Sequence, residues 1–383
     1  MRARGAAPVV VGLALIWVAF SAANDRFLSA ANLTNLMLQI AAVGTIAAGL
    51  VPVLLLGEID LSAGVASGLC AAVMAILHVK LGWGPFPALL AGMVAGTAIG
   101  TFHGLWITRL RVPSFVVTLA GLLAWQGALL HVLGSTGTVN LPDSPITGLT
   151  GTFFGPAVTW TLASLAVLAH GAALWLERRA RGAAGLPLPP WRAPAARLLV
   201  TAAAVVAAAG VFTQDRGLPL AVLIFVGLVA AVDLVLRRTR FGRHVLAVGG
   251  NAEAARRAGI RVERVRVVVF AAGSTFAAAG GILAASRLLA VNQSSGSGDV
   301  LLNAIAAAVI GGTSLFGGRG SAWSALLGAL VIGSISNGMD LLALSSSVKL
   351  MVTGAVLLVA ASIDALGLRG PRPGGAVRPA QRG

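Results

Sequence analysis

An all-α bundle that crosses a membrane many times is the fold class this sequence predicts, and three observations predict it. Of 383 residues, 57% are hydrophobic and only 10% are charged, against about a quarter charged in soluble domains. Apolar runs recur along nearly the whole chain, each close to the ~20 residues that cross a bilayer core as helix. The cations gather between alternate runs rather than spreading evenly, which is how loops on the cytoplasmic side are marked. A soluble bundle would need polar outer helix faces, and no period-2 alternation suggests a membrane barrel.

Twelve apolar segments follow in order: 8–23, 33–56, 62–78, 86–108, 114–133, 156–176, 197–213, 218–236, 265–290, 301–316, 322–343 and 347–367. The first resembles a signal peptide, but further spans follow it, so it reads as an uncleaved span. With the N-terminus placed in the cytoplasm and sides alternated, Arg2, Arg4, Arg109 and Arg111 fall inside. So do the insert 177–197, the loop 237–264 and the tail with Arg369, Arg372, Arg378 and Arg382. The opposite side carries Asp25, Asp143, Asp215 and Asp299 with few cations. Both termini are therefore expected in the cytoplasm, with an even number of spans, about 10 to 12. Segments 62–78, 197–213 and 301–316 are short enough to be re-entrant. The membrane domain is expected to cover 1–367, with the Pro- and Arg-rich insert 177–197 as an exposed loop and 368–383 as a disordered cytoplasmic tail.

The net charge of +16 follows the membrane topology and does not point to nucleic acid. Cys70 is the single cysteine, so neither a disulfide within the chain nor a thiolate metal cluster is expected. The five histidines lack ligand spacing. No metal, cofactor or catalytic constellation is expected. No G-x-x-x-x-G-K-[ST] phosphate loop occurs, so any ATP hydrolysis must belong to another subunit.

Residues 237–266 hold nine arginines against Glu253 and Glu263. At their centre Asn251 can cap a short Ala-rich helix that Gly259 ends. Ala254, Ala255 and Ala258 give that helix one small, smooth face. Two readings stand side by side: a juxtamembrane anchor on anionic lipid, and a helix that docks in a groove on another protein. Glycines 92, 96, 100 and 104 recur every fourth residue. Gly92, Gly96, Gly100 and Gly104 thus form a groove for close helix packing, within the chain or, in the second reading, against another copy of it. Two glycine-rich strings align with each other, GEIDLSAG (57–64) and GGTSLFGG (311–318). Asp60 meets Ser314 in that alignment, and each string is followed by a small-residue helix. Interrupted spans in matching halves point to a transport pathway, with Asp60, Ser62, Thr313 and Ser314 as its expected lining. A tight turn between two spans, with Asp60 capping the next helix, is the simpler reading. The outer string NQSSGSGD (292–299) reads as a solvated connector or as a contact for a binding protein. Ser336 and Asn337 fall within a span and read as an interhelical hydrogen bond before a substrate contact.

Glu253-Ala254-Ala255, three residues and Gly259 resemble the EAA loop of bacterial ABC-importer permeases. The longer string 239–265 is similar to the branched-chain amino acid/monosaccharide permease family, of ribose and xylose type. The strings 57–64 and 302–321 resemble two further signatures of that family, in the same order. One departure is Glu58, where the family has glycine. The resemblance implies a permease subunit in the cell inner membrane. It would work as a homodimer beside separate ABC ATPase subunits and be fed by an extracytoplasmic sugar-binding protein. It implies that Asn251, Glu253, Ala254, Ala255 and Gly259 couple the chain to the ATPase. The insert and residues 215–225 resemble the xylose-type permeases, which makes a pentose, xylose first, the expected cargo, with ribose or galactose as alternatives. An ion-coupled transporter is the rival class.

Overall fold

The computed structural model describes residues 3–188 and 190–368. Fifteen helices carry these residues: α1 Ala3–Ala23, α2 Ala30–Leu55, α3 Ala63–Ala75, α4 Pro85–Arg109, α5 Ser114–Leu133, α6 Pro145–Gly151, α7 Pro156–Ala183, α8 Arg192–Gln214, α9 Leu220–Arg238, α10 Arg240–Gly250, α11 Ala252–Arg257, α12 Val262–Leu288, α13 Asp299–Ile310, α14 Ala322–Leu341 and α15 Ser346–Leu368. A π-helical turn, Ile76–Lys80, prolongs α3. Two small antiparallel pairs, Thr138–Asn140 with Ala290–Asn292 and Phe153–Phe154 with Leu218–Pro219, tie connections together.

Among the described residues, nine helices are long and apolar enough to cross a membrane, and three shorter apolar stretches accompany them. The short segments at 62–78 and 197–213 fall in two of the nine, α3 with its π turn and α8. The segment at 301–316 does not stay helical to its end. Helix α13 stops at Ile310, and a run of turns from Gly311 to Ser321 follows, with Gly312, Gly317 and Gly318 at positive φ. Glycine makes those backbone shapes cheap. The insert 177–197 is mostly helix: α7 continues to Ala183 and α8 begins at Arg192. From 369 onward the expected tail lies outside the described residues.

Two helices form the centre. Most of α2 is buried, against α9, α12, α13 and α14, while α12 packs on α2, α3, α4 and α6. Lipid tails are as apolar as leucine, so association rests on close packing and buried hydrogen bonds. Small residues supply the first. A Cβ on Gly96 would lie 2.6 Å from the Ser274 carbonyl oxygen of α12, and one on Gly104 2.6 Å from Val267 Cα. One on Gly100 would strike the Phe270 carbonyl, and Gly92 faces Cys70 and Ile282. The groove along α4 is thus filled by α12 of the same chain. Hydrogen bonds supply the second. Asn32 and Asn337 exchange side-chain amide bonds of 2.8 and 3.0 Å between α2 and α14. Trp17 donates to Ser334 Oγ at 2.9 Å, fastening α1 to α14. Helices α7 and α8 lean on each other at the edge, and Thr159 is the one fully buried residue of α7.

Candidate functional site: a turn cluster beside a capped surface helix

At the end of the bundle where the arginines gather, α9 passes into α10 and α11. The Thr239 side chain accepts from Gly242 N at 3.1 Å and opens α10. That helix is amphipathic, with Val245 and Val248 buried in the core. Asn251 ends α10 and starts α11, its side chain accepting from Ala254 N at 2.9 Å. Gly259, at φ +81°, closes α11, and Ile260 N donates to the Ala255 carbonyl at 3.0 Å. This is the signature of a left-handed C-terminal cap.

The small face divides in two. Ala255 is 5% exposed and packs inward, while Ala254, Ala258 and Gly259 are exposed. Glu253 is bracketed by Arg256 at 3.1 Å and Arg257 at 3.2 Å. Arg256 also reaches Glu263 of α12 at 2.9 Å. Those hydrogen bonds, to Glu263 first and Glu253 second, hold the Arg256 guanidinium above its ordinary range. Exposed pairs of this kind add little stability; the Arg256–Glu263 pair links α11 to the first turn of α12.

Beneath α10 the two aligned strings touch. Gly318 N donates to the Leu55 carbonyl at 2.9 Å. A Cβ on Gly317 would lie 2.9 Å from Gly57 N, and one on Gly249 would collide with the Leu55 carbonyl and come within 3.0 Å of Gly318 N. The end of α2, the turn after α13 and the end of α10 therefore share one vertex. Each expected pathway residue is buried there and bonded within the chain. Asp60 Oδ1 accepts from Ser62 N at 2.9 Å and Ser62 Oγ at 2.7 Å, bracing the start of α3. Thr313 Oγ1 shares a 2.7 Å bond with Ser324 Oγ, and Ser314 Oγ accepts from Phe316 N at 3.3 Å. The same turns are held from outside: Thr118 Oγ1 donates to the Ile59 carbonyl at 3.2 Å, and Arg237 donates to Ser321 Oγ at 3.1 Å.

Sequence reasoning did not find two features. The cation beside Glu58 is Arg266, 2.8 Å away on α12; only the shared arginine-rich side hinted at the pair. Helix α10 was hidden in what read as a loop, although Phe241, Val245 and Val248 carry a helical apolar period. The string 292–299 is largely exposed, and its middle folds back onto the bundle. The Ser295 and Gly296 backbones press against Gly68 and Gly64 of α3, and Gln126 donates to the Gln293 carbonyl at 3.1 Å. Ser336 lines a small cavity with Gln39 and Asn303. Among the described residues, no three His, Cys, Asp or Glu side chains group as metal ligands would.

Residues 32–361 match the family described as branched-chain amino acid transport system / permease component. The chain is 39% identical over 361 residues to the Xylose transport system permease protein XylH of Escherichia coli (strain K12), covering 94% of this chain and 90% of that one. It is 37% identical to the protein of the same name from Haemophilus influenzae, covering 93% and 95%. To the Ribose import permease protein RbsC of Bacillus subtilis (strain 168) it is 33% identical, covering 92% and 91%. No solved structure matches.

Proposed function

The chain belongs to the branched-chain amino acid transport system / permease component family, and from that premise we propose that it is the membrane-spanning subunit of an ATP-binding-cassette importer for a monosaccharide, xylose first. It is a multi-pass membrane transport subunit, not an enzyme. Its reaction is passage of an unmodified sugar, with ATP hydrolysed on separate ATPase subunits and the sugar delivered by an extracytoplasmic binding protein. Two copies form the conduit, inside one domain spanning 1–367, with both termini, the insert 177–197 and the loop 237–264 in the cytoplasm.

One observation carries the coupling: α11 presents Ala254, Ala258 and Gly259 to solvent while Ala255 roots it to the bundle. A short helix with a smooth outer face and a firm inner one suits a groove on a partner. Motion at α11 reaches the bundle at the vertex of Leu55, Gly249 and Gly318. Asp60, Ser62, Thr313 and Ser314 form the inner floor of the sugar's path; their burial on two touching turns from different halves supports this. Biasing that floor between two arrangements is what coupling requires. Ribose is the second reading, because permeases named for ribose match over nearly the same length.

Uptake of labelled xylose, ribose and galactose by a strain lacking the gene, with and without the restored chain, tests the assignment. Restoration of xylose uptake that stops when ATP is exhausted is the expected result. Uptake that outlasts ATP but falls with the ion gradient removes the importer reading.

A further inference from the structure

We propose that an anionic phospholipid seats in the cleft between α7 and α9, with its phosphate held by Arg181 and Arg238. The cleft lies where the edge hairpin stands away from the core near the arginine-rich end. It has a volume of about 780 Å³ and opens to the surroundings. Leu176, Leu186 and Leu234 form apolar walls, and Glu177, Arg181 and Arg238 form the charged rim. Leu176 and Leu234 are more than half exposed.

The position decides the occupant of the walls. A leucine-lined gap between two helices at the bilayer edge is filled by an acyl chain, since water there gains no hydrogen bonds. The rim decides the headgroup. Arg181 lies 3.5 Å from Glu177, a distance that leaves much of its donor fork free. Arg238 has no carboxylate or hydrogen-bond partner among the described residues. Two guanidiniums against one carboxylate leave a net positive rim, and a guanidinium matches a phosphate bidentately. A zwitterionic lipid brings its own cation to that rim and is disfavoured.

The depth agrees. Arg178 sits over the Trp191 ring at 4.0 Å and Arg179 over Trp175 at 5.4 Å. Tryptophans of this kind settle at headgroup level, and arginines beside them extend their stems along the apolar surface. The hairpin of α7 and α8 buries almost nothing against the core, so the lipid acts as its mortar. This inference stands on membrane insertion and is independent of the transport reading.

Native mass spectrometry of the purified permease, titrated with phosphatidylglycerol or phosphatidylcholine, tests it. Wild type should retain phosphatidylglycerol in preference to phosphatidylcholine. The double variant Arg181→Gln/Arg238→Gln should bind phosphatidylglycerol roughly tenfold to thirtyfold more weakly, as expected for the loss of two headgroup cations. Arg240→Gln/Arg243→Gln, which removes equal charge from exposed sites on α10, should bind as wild type does. Protection of buried Cys70 from a thiol reagent reports that each variant is folded. Unchanged binding by the cleft variant, or an equal loss in the α10 variant, overturns the proposal.

Discussion

Glu58 and Arg266 meet at 2.8 Å, with their side chains 12% and 29% exposed. This pair binds the turn after α2 to the first turns of α12, the two central helices. A glycine at 58 would leave the guanidinium in a half-closed site without its carboxylate. Glu58→Gln is expected to cost about 1–2 kcal/mol, between the values for exposed and for buried pairs. The charge-swapped double variant Glu58→Arg/Arg266→Glu should recover part of that. Denaturation in mixed micelles measures both, and equal losses in single and swapped variants would argue against a direct pair.

The crossing of α4 and α12 tolerates no side chain at its centre. Gly100→Val would drive a branched chain into the Phe270 carbonyl, and about 3 kcal/mol of destabilisation is expected. Gly127, on α5, has open space where a Cβ would go. Gly127→Ala should therefore stabilise by up to about 1 kcal/mol. Thermal unfolding of the two variants against wild type checks the contrast in sign.

Asn32 and Asn337 satisfy one another. A double-mutant cycle with leucine at each position should yield a coupling of about 0.6–1.7 kcal/mol, the range of interhelical hydrogen bonds in membranes. A coupling near zero would mean that water or a neighbouring group replaces the bond.

Ala254 and Ala255 are neighbours with opposite duties. Ala254→Arg, on the exposed side, is expected to lower sugar uptake at least roughly tenfold while leaving the unfolding temperature unchanged. Ala255→Arg forces a long cation into a 5% exposed site and should lower the unfolding temperature as well. Normal uptake by a correctly inserted Ala254→Arg variant would sink the docking role of α11.

Cys70 is fully buried in α3. Maleimide should leave the native protein unlabelled and modify it once denaturant opens α3, with one adduct per chain. Rapid labelling without denaturant would show that α3 separates from α4 in the native state.

The membrane fold was legible because hydropathy marks each span by itself. What hydropathy could not mark was where a span stops being helical. Residues 311–316 are apolar enough to extend α13, yet Gly312 at φ +107° and the contact of Gly318 with Leu55 turn the chain there. Glycines 92 to 104 announced a close approach without naming the partner; the structure puts α12 against them. Helix α6 escaped notice because it has 7 residues, below the length at which a period stands out, and α10 because its 11 residues hold a single short apolar stripe among arginines. At the turn cluster, aligning Asp60 with Ser314 came from the matched strings, and the bracing of the start of α3 by Asp60 came from its position just ahead of Ser62, whereas the pair of Glu58 with Arg266 depends on a distant helix. The inward turn of Ala255 follows from where the rest of the bundle lies, which the alanines at 254, 255 and 258 cannot say by themselves.

The vertex of Leu55, Gly249 and Gly318 leaves no slack, since even a methyl group on Gly249 has nowhere to go. A push on the elbow between α10 and α11 is therefore shared at once by the end of α2 and the turn after α13. On the transport reading proposed above, the touching ends of both halves would then feel the same displacement, which ties the two halves' response to a single input.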